Sequence, residues 1–81
     1  MYAEIKKSHP QAVEFVNIIK EFYEGAEVRE YETAFYVTTG AERVISFICE
    51  AFGSRSVVLL LKVDGELLSF PLEMFGTIYE L

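Results

Sequence analysis

The five glycines of this 81-residue chain divide it into short segments of contrasting hydrophobic periodicity. Four of them stand where one apolar spacing gives way to another. Because glycine adopts backbone angles that other residues resist, it collects where helices end and strands turn. The pattern predicts one small α+β domain over residues 1–81, punctuated at positions 25, 40, 53, 65 and 76.

Two segments have the apolar spacing of amphipathic helices. The first follows Ser8-His9-Pro10-Gln11, a predicted capping box, and ends near Gly25. The second follows Thr39-Gly40-Ala41-Glu42, another predicted capping box, and ends at Gly53. The apolar stripes are Ala12, Phe15, Val16, Ile19, Phe22 and Tyr23 in the first helix, and Ala41, Val44, Ile45, Ile48 and Phe52 in the second.

Residues 27–38 change to a period of two, which predicts one long strand, bent or bulged near Glu32 or Thr33. Its core face is predicted to hold Tyr31, Thr33, Phe35 and Val37. Tyr31, Phe35 and Tyr36 also resemble an aromatic base-stacking platform, but core packing of Tyr31 and Phe35 is preferred because the neighbouring glutamates oppose nucleic acid.

Asp64-Gly65 between two apolar runs predicts a tight hairpin, since both residues tolerate positive φ. A two-residue turn places Val63 opposite Glu66 and Leu61 opposite Leu68. It also pairs Leu59 with Phe70, and Val57 is predicted to share their core face. The reverse face holds Val58, Leu60 and Leu67, with only Lys62 and Ser69 as polar neighbours, so we expect another surface to cover it.

The two ends of the chain are less sharply patterned. Residues 1–7 alternate weakly and are compatible with an edge strand. Residues 71–81 fit a short helix or a strand; the helix is preferred, although Gly76 opposes it. The predicted fold is a two-layer α+β sandwich of order β-α-β-α-β-β followed by a short C-terminal helix. Its two helices pack on one face of a three- to four-stranded sheet.

The predicted order resembles that of small sulfur-carrier proteins of the TusA type. Those proteins have a Cys-Pro-x-Pro motif at the start of the first helix, and this chain has His9-Pro10-Gln11-Ala12 there. Because the sulfur-bearing cysteine and the second proline are absent, the resemblance concerns the layout only.

The net charge of −6 repels phosphates, which opposes binding to nucleic acid or to an anionic membrane. No apolar run has the length of a membrane span, and the first residues lack the apolar stretch of a signal peptide. A cytoplasmic protein is therefore expected. The scarcity of Asn and Gln beside abundant Glu is compatible with a thermophilic source.

No nucleotide, phosphate or metal motif occurs in the sequence, so no cofactor is predicted. Its single His and single Cys are too few for a structural zinc site. His9 and Cys49 are interpreted as a helix-entry residue and a small buried residue, with a shared enzymatic site as the weakest alternative. The chain is predicted not to be an enzyme.

Hydrophobic residues make up 52% of the sequence, more than a domain of this size can bury. We therefore expect a protein-interaction module that acts as a homodimer. The candidate interface residues are Val58, Leu60 and Leu67 on the hairpin, and Met74, Phe75, Ile78, Tyr79 and Leu81 near the C-terminus.

The acidic residues indicate an alternative function. An acidic decoy or inhibitor, of viral or accessory type, would bind a basic surface on a partner protein. The candidate docking residues are Glu14, Glu21, Glu24, Glu27, Glu30 and Glu32. A solvated helix face is the competing interpretation of the first three.

Overall fold

A computed structural model describes residues 2–38 and 40–79, without the side chain of Tyr79. This part of the chain forms an α+β fold with two helices, a four-stranded sheet and a separate two-stranded sheet. The elements are β1 (Tyr2–Lys6), α1 (Ala12–Phe22), β2 (Val28–Glu30), β3 (Ala34–Val37), α2 (Glu42–Gly53), β4 (Val58–Val63), β5 (Glu66–Pro71), a 3-10 turn (Leu72–Met74) and β6 (Phe75–Tyr79).

The four-stranded sheet is antiparallel throughout and has the order β2-β3-β1-β6. With the β4–β5 hairpin set aside, the elements follow as β-α-β-β-α-β, the arrangement of ferredoxin-like domains. The predicted order β-α-β-α-β-β is therefore only partly correct, and the layout shared with sulfur carriers does not hold. The arrangement by itself implies no activity.

Strand β1 lies in the interior of the sheet, although the sequence suggested an edge. Ile5 is opposite Phe35 of β3 on one side and Phe75 of β6 on the other. Ala3 and Ile5 are completely buried, so their alternation with polar residues directs one face of β1 into the core. The weak alternation in residues 1–7 therefore belongs to a strand that pairs along both edges and has one buried and one accessible face.

The C-terminal segment is a 3-10 turn followed by β6, so the predicted helix is wrong. Gly76 weakens a helix at this point, and Thr77, Ile78 and Tyr79 favour a strand. Strand β6 pairs with the edge of β1 that is not occupied by β3, and the local sequence does not reveal this distant partner.

Residues 28–37 form a hairpin of two strands, where the sequence predicted a single bent one. Glu30 is opposite Phe35, and the N–H of Tyr31 donates to the carbonyl of Ala34 over 2.8 Å. Phe35 and Val37 are buried as predicted, whereas Tyr31 is 52% exposed and Thr33 is also exposed. The predicted core positions of Tyr31 and Thr33 were wrong, because the turn between β2 and β3 interrupts the alternation of buried and exposed side chains.

The Asp64-Gly65 hairpin has the predicted register, with Leu61 opposite Leu68 and Val63 opposite Glu66. Asp64 and Gly65 have φ values of 50° and 83°, as this turn requires. Leu59, Leu61, Val63 and Phe70 lie in the core as predicted. Val57 precedes β4 and is 79% exposed, so its predicted core position was wrong.

Both helices are present, with starts that differ from the predicted capping boxes. The first begins at Ala12 without a side-chain cap, so the Ser8 cap was wrong; the Gln11 amide side chain instead donates to the Ser69 carbonyl over 3.3 Å. At the second helix, the Glu42 carboxylate accepts from the Gly40 N–H over 3.2 Å. Thr39, the other half of that predicted box, lies outside the described residues.

One apolar core joins the helices, the sheet and the hairpin. Phe15 of α1 makes edge-to-face contacts with Phe70 of the hairpin, at a centroid distance of 5.0 Å, and with Phe75 of the sheet, at 5.1 Å. No buried residue of the described chain is polar or charged. Burial of apolar surface is therefore the main force that holds the hairpin on the domain.

Gly40 is predicted to be the glycine least tolerant of a side chain. Its φ is +84°, and a Cβ there would overlap the Gly25 carbonyl and lie 2.7 Å from the Ala26 nitrogen. Gly65 is a matched control, because its φ is +83° and nothing lies within 4 Å of its Cβ position. We expect Gly40→Ala to lower the free energy of unfolding by about 2–4 kcal/mol and Gly65→Ala by about 1 kcal/mol. Urea unfolding followed by circular dichroism measures both, and equal losses would contradict this view of the Gly40 contact.

Candidate functional site

The outer face of the β4–β5 hairpin exposes large apolar side chains. Leu60 is 55% exposed and Leu67 is 66% exposed, while Val58 is half-buried. Because side chains alternate along a strand, burial of Leu59 and Leu61 turns Leu60 outward. Lys62 and Ser69 are also exposed on this face. Within the described part of the chain, Leu60 and Leu67 are left uncovered, so the surface expected to cover this face stays a prediction.

This face borders an open groove of about 390 Å³ between the hairpin and the helices. Phe47 of α2 contributes a side chain that is 39% exposed, and Tyr23, which follows α1, also lines the groove. Arg43 and Lys62 also line it, so an apolar floor carries two cationic groups. The groove, called the hairpin groove below, is lined by Tyr23, Arg43, Phe47, Leu60, Leu61, Lys62 and Leu67.

Sequence reasoning missed the part of this groove that α2 supplies. Phe47 lies outside the predicted apolar stripe of that helix, and Phe52 inside the stripe is 44% exposed. The sequence did contain one signal for this part of the groove, because an aromatic residue outside the apolar stripe of a helix needs another surface to cover it. Its meaning depended on the hairpin, which lies against α2 only in the folded chain.

The C-terminal interface candidates are placed differently from those of the hairpin. Met74 is completely buried and Phe75 is 4% exposed, so both belong to the core. Ile78 is half-buried and packs against that core. The side chain of Tyr79, and Leu81 as a whole, lie outside the described residues. Among the candidates whose side chains are described, Leu60 and Leu67 are therefore the exposed ones.

All six acidic candidates are exposed. Glu14 and Glu21 lie on α1 and Glu24 in the turn after it, while Glu27, Glu30 and Glu32 lie in or beside β2. Glu30 is paired with Lys7 over 2.6 Å. That hydrogen bond and the Lys7 charge lower the pKa of the Glu30 carboxyl below its ordinary value.

His9 and Cys49 lie in different surroundings. The His9 Nδ1 accepts the N–H of Gln11 over 3.2 Å, and its Nε2 lies 3.9 Å from a Glu73 carboxylate oxygen. Cys49 is half-buried on α2. Among the described side chains, no three His, Cys, Asp or Glu residues gather as a metal site would require.

A second accessible surface is the outer face of the four-stranded sheet. Glu4 of β1 lies opposite Tyr36 of β3, and the Tyr36 hydroxyl donates to the Glu4 Oε2 over 2.7 Å. The Tyr36 ring makes edge-to-face contacts with Tyr2 and Tyr31 at centroid distances of 5.8 and 5.3 Å. We call Tyr2, Glu4, Tyr31 and Tyr36 the tyrosine face.

Comparison with known proteins finds no protein family, no curated protein and no solved structure that matches this chain. Neither α1 nor α2, with 11 and 12 residues, has the length and apolar character needed to span a bilayer.

The Lys7–Glu30 pair predicts a pH effect of defined sign. Since the folded state lowers the Glu30 pKa, the pair stabilises the fold above the ordinary carboxyl pKa of 4.5. That contribution is lost as the pH falls through the lowered value. Lys7→Met is expected to raise the Glu30 pKa toward 4.5, as carbon-detected NMR titration of the carboxyl would show.

Lys62→Met is the control for this titration, because Lys62 lies on the hairpin. It removes the same charge and should leave the Glu30 pKa unchanged. A Glu30 pKa that does not respond to Lys7→Met would show that the pair is not formed in solution.

Proposed function

We propose that this protein is a non-enzymatic interaction module that acts as a homodimer through its hairpin groove. The observation that carries the proposal is the exposure of Leu60 and Leu67, at 55% and 66%, beside the half-covered ring of Phe47. Removing such side chains from water on association is favourable, at roughly 25 cal/mol per Å².

The area that a stable dimer must bury requires an interface larger than Leu60 and Leu67 alone. A stable dimer buries about 800 Å² per partner, which is about a sixth of this chain's 5157 Å² surface. Two leucine side chains do not reach that area. The interface would therefore extend over Phe47 and the rest of the hairpin groove.

The charges of the hairpin groove favour a second copy of this chain. Arg43 and Lys62 line it, while the whole molecule has a net charge of −6. Asp64 at the hairpin tip lies two positions after Lys62, and a second copy docked through the same surface would bring its Asp64 toward Arg43 and Lys62. In a two-fold arrangement each copy would supply both signs, so the contact is self-complementary.

The mass in solution tests this proposal, with Leu60→Glu as the disrupting variant. We expect the unmodified chain to have twice its own mass of 9.3 kDa by size-exclusion chromatography with light scattering. Leu60→Glu should give a folded monomer, because it replaces an apolar side chain at the contact by a charged group that must lose its hydration on association. Circular dichroism checks that the variant retains the fold.

Val13→Glu is the matched control, since Val13 is 59% exposed on α1 and does not line the hairpin groove. It adds the same charge and should remain dimeric. A folded Leu60→Glu dimer would refute the hairpin version of the interface. A monomeric unmodified chain would refute the homodimer itself.

An acidic decoy that docks on a basic partner is the second candidate. It is supported by the exposure of all six acidic candidates, of which Glu30 is paired with Lys7. Binding of that kind is expected to weaken steeply with ionic strength. An affinity for a basic partner that stays constant between low and physiological salt would count against this candidate.

A further inference from the structure

The tyrosine face differs from the hairpin groove in both position and chemistry. It lies on the sheet face opposite the buried Ala3 and Ile5. Tyr2, Glu4 and Tyr36 are half-buried, and Tyr31 is 52% exposed, so the face is accessible. Tyrosine offers a large apolar ring with a polar tip and is enriched where proteins bind one another.

The Glu4 carboxylate is held in a fixed position at the centre of this face. Its Oε2 accepts the Tyr36 hydroxyl, and its Oε1 lies against Gly76 of β6, where a Cβ would overlap it. Because Gly76 has no side chain, the Glu4 carboxylate has room to lie against its backbone. The carboxylate thus lies beside Tyr36, whose ring contacts those of Tyr2 and Tyr31.

Glu4 has no cationic side chain within ion-pair distance in the described part of the chain. Lys6 and Arg29 lie on the same sheet face, opposite Ala34 and Tyr36 respectively, but neither forms a salt bridge with Glu4. A half-buried carboxylate is stabilised by a counter-charge, and aromatic rings attract cations to their faces.

The charges around the face restrict what can bind there. Lys6 and Arg29 would repel a run of basic residues, and the one carboxylate of Glu4 balances one added positive charge. A nucleic acid would find two cations and three rings here, but it would also meet the Glu4 charge and the molecular charge of −6. Taken together, these charges favour a partner segment that carries one positive charge and is otherwise uncharged.

We propose that the tyrosine face binds a single arginine side chain presented by an extended segment of a partner protein. The planar guanidinium stacks on a tyrosine ring while its N–H groups donate to a carboxylate, two interactions that an ammonium group cannot combine in the same way. The acidic molecule attracts the segment, and Glu4 selects its arginine.

A pair of peptides that differ only in charge tests the proposal. The probe is acetyl-Gly-Arg-Gly-amide, and its control replaces arginine by citrulline, which has nearly the same shape without the charge. Titration of ¹⁵N-labelled protein should shift the amide signals of Glu4, Tyr36 and Gly76 with the arginine peptide. The citrulline peptide is expected to bind at least about tenfold more weakly.

Glu4→Gln should weaken binding of the arginine peptide by about tenfold, because it removes the charge and keeps an acceptor for the Tyr36 hydroxyl. Glu21→Gln makes the same change of charge on α1 and should leave the affinity within twofold. Tyr31→Leu is a second disrupting variant, chosen because this turn residue is 52% exposed, and circular dichroism checks that it retains the fold. It should weaken binding several-fold through loss of a ring.

Three results would overturn the proposal. Equal binding of the two peptides would show that charge is not recognised. Unchanged affinity in both Glu4→Gln and Tyr31→Leu would place the site elsewhere. Single-stranded oligothymidylate that shifts the same signals at lower concentration than the arginine peptide would assign the face to nucleic acid. The test is independent of dimer formation, because Leu60→Glu should bind the arginine peptide as the unmodified chain does.

Discussion

The fold depends on the pairing of β1 with two strands that are far from it in sequence. Ile5 lies between Phe35 and Phe75, so residues near both ends of the chain meet in the middle of one sheet. Closing such long loops costs chain entropy, which only the burial of the inner face can offset. Phe15 completes this core by touching Phe75 and Phe70 at once, and thereby joins the hairpin to the sheet.

The same arrangement creates the two surfaces for which functions are proposed. The 3-10 turn Leu72–Met74 separates the hairpin from β6, so the hairpin lies outside the four-stranded sheet and its second face is exposed. Helices and hairpin complete the core on one side of the sheet, and the tyrosine face is accessible on the other. Homodimer formation and arginine binding are therefore proposed on separate surfaces.

Sequence patterns predicted the elements whose signals are local. Both amphipathic helices follow from residue spacing, and the Asp64-Gly65 turn fixed the register of Leu61 against Leu68. The same pattern identified Leu60 and Leu67 as outward-facing candidates. The predicted core position of Tyr31 was wrong because the chain turns back between β2 and β3. The predicted helix at residues 71–81 was wrong because β6 pairs with the edge of β1.

By itself, the sequence determined the two helices and the hairpin, because each depends on residues only a few positions apart. Its composition indicated the surplus of apolar side chains. The tertiary structure decided which of those side chains stay exposed. It buried Met74 and Phe75 in the core, placed Phe47 beside Leu60, and folded Glu4 against Gly76 among the tyrosines. These contacts join residues distant in the chain. Burial in the core places Met74 and Phe75, and the surface positions of Phe47 and Glu4 follow from the elements that this core holds together.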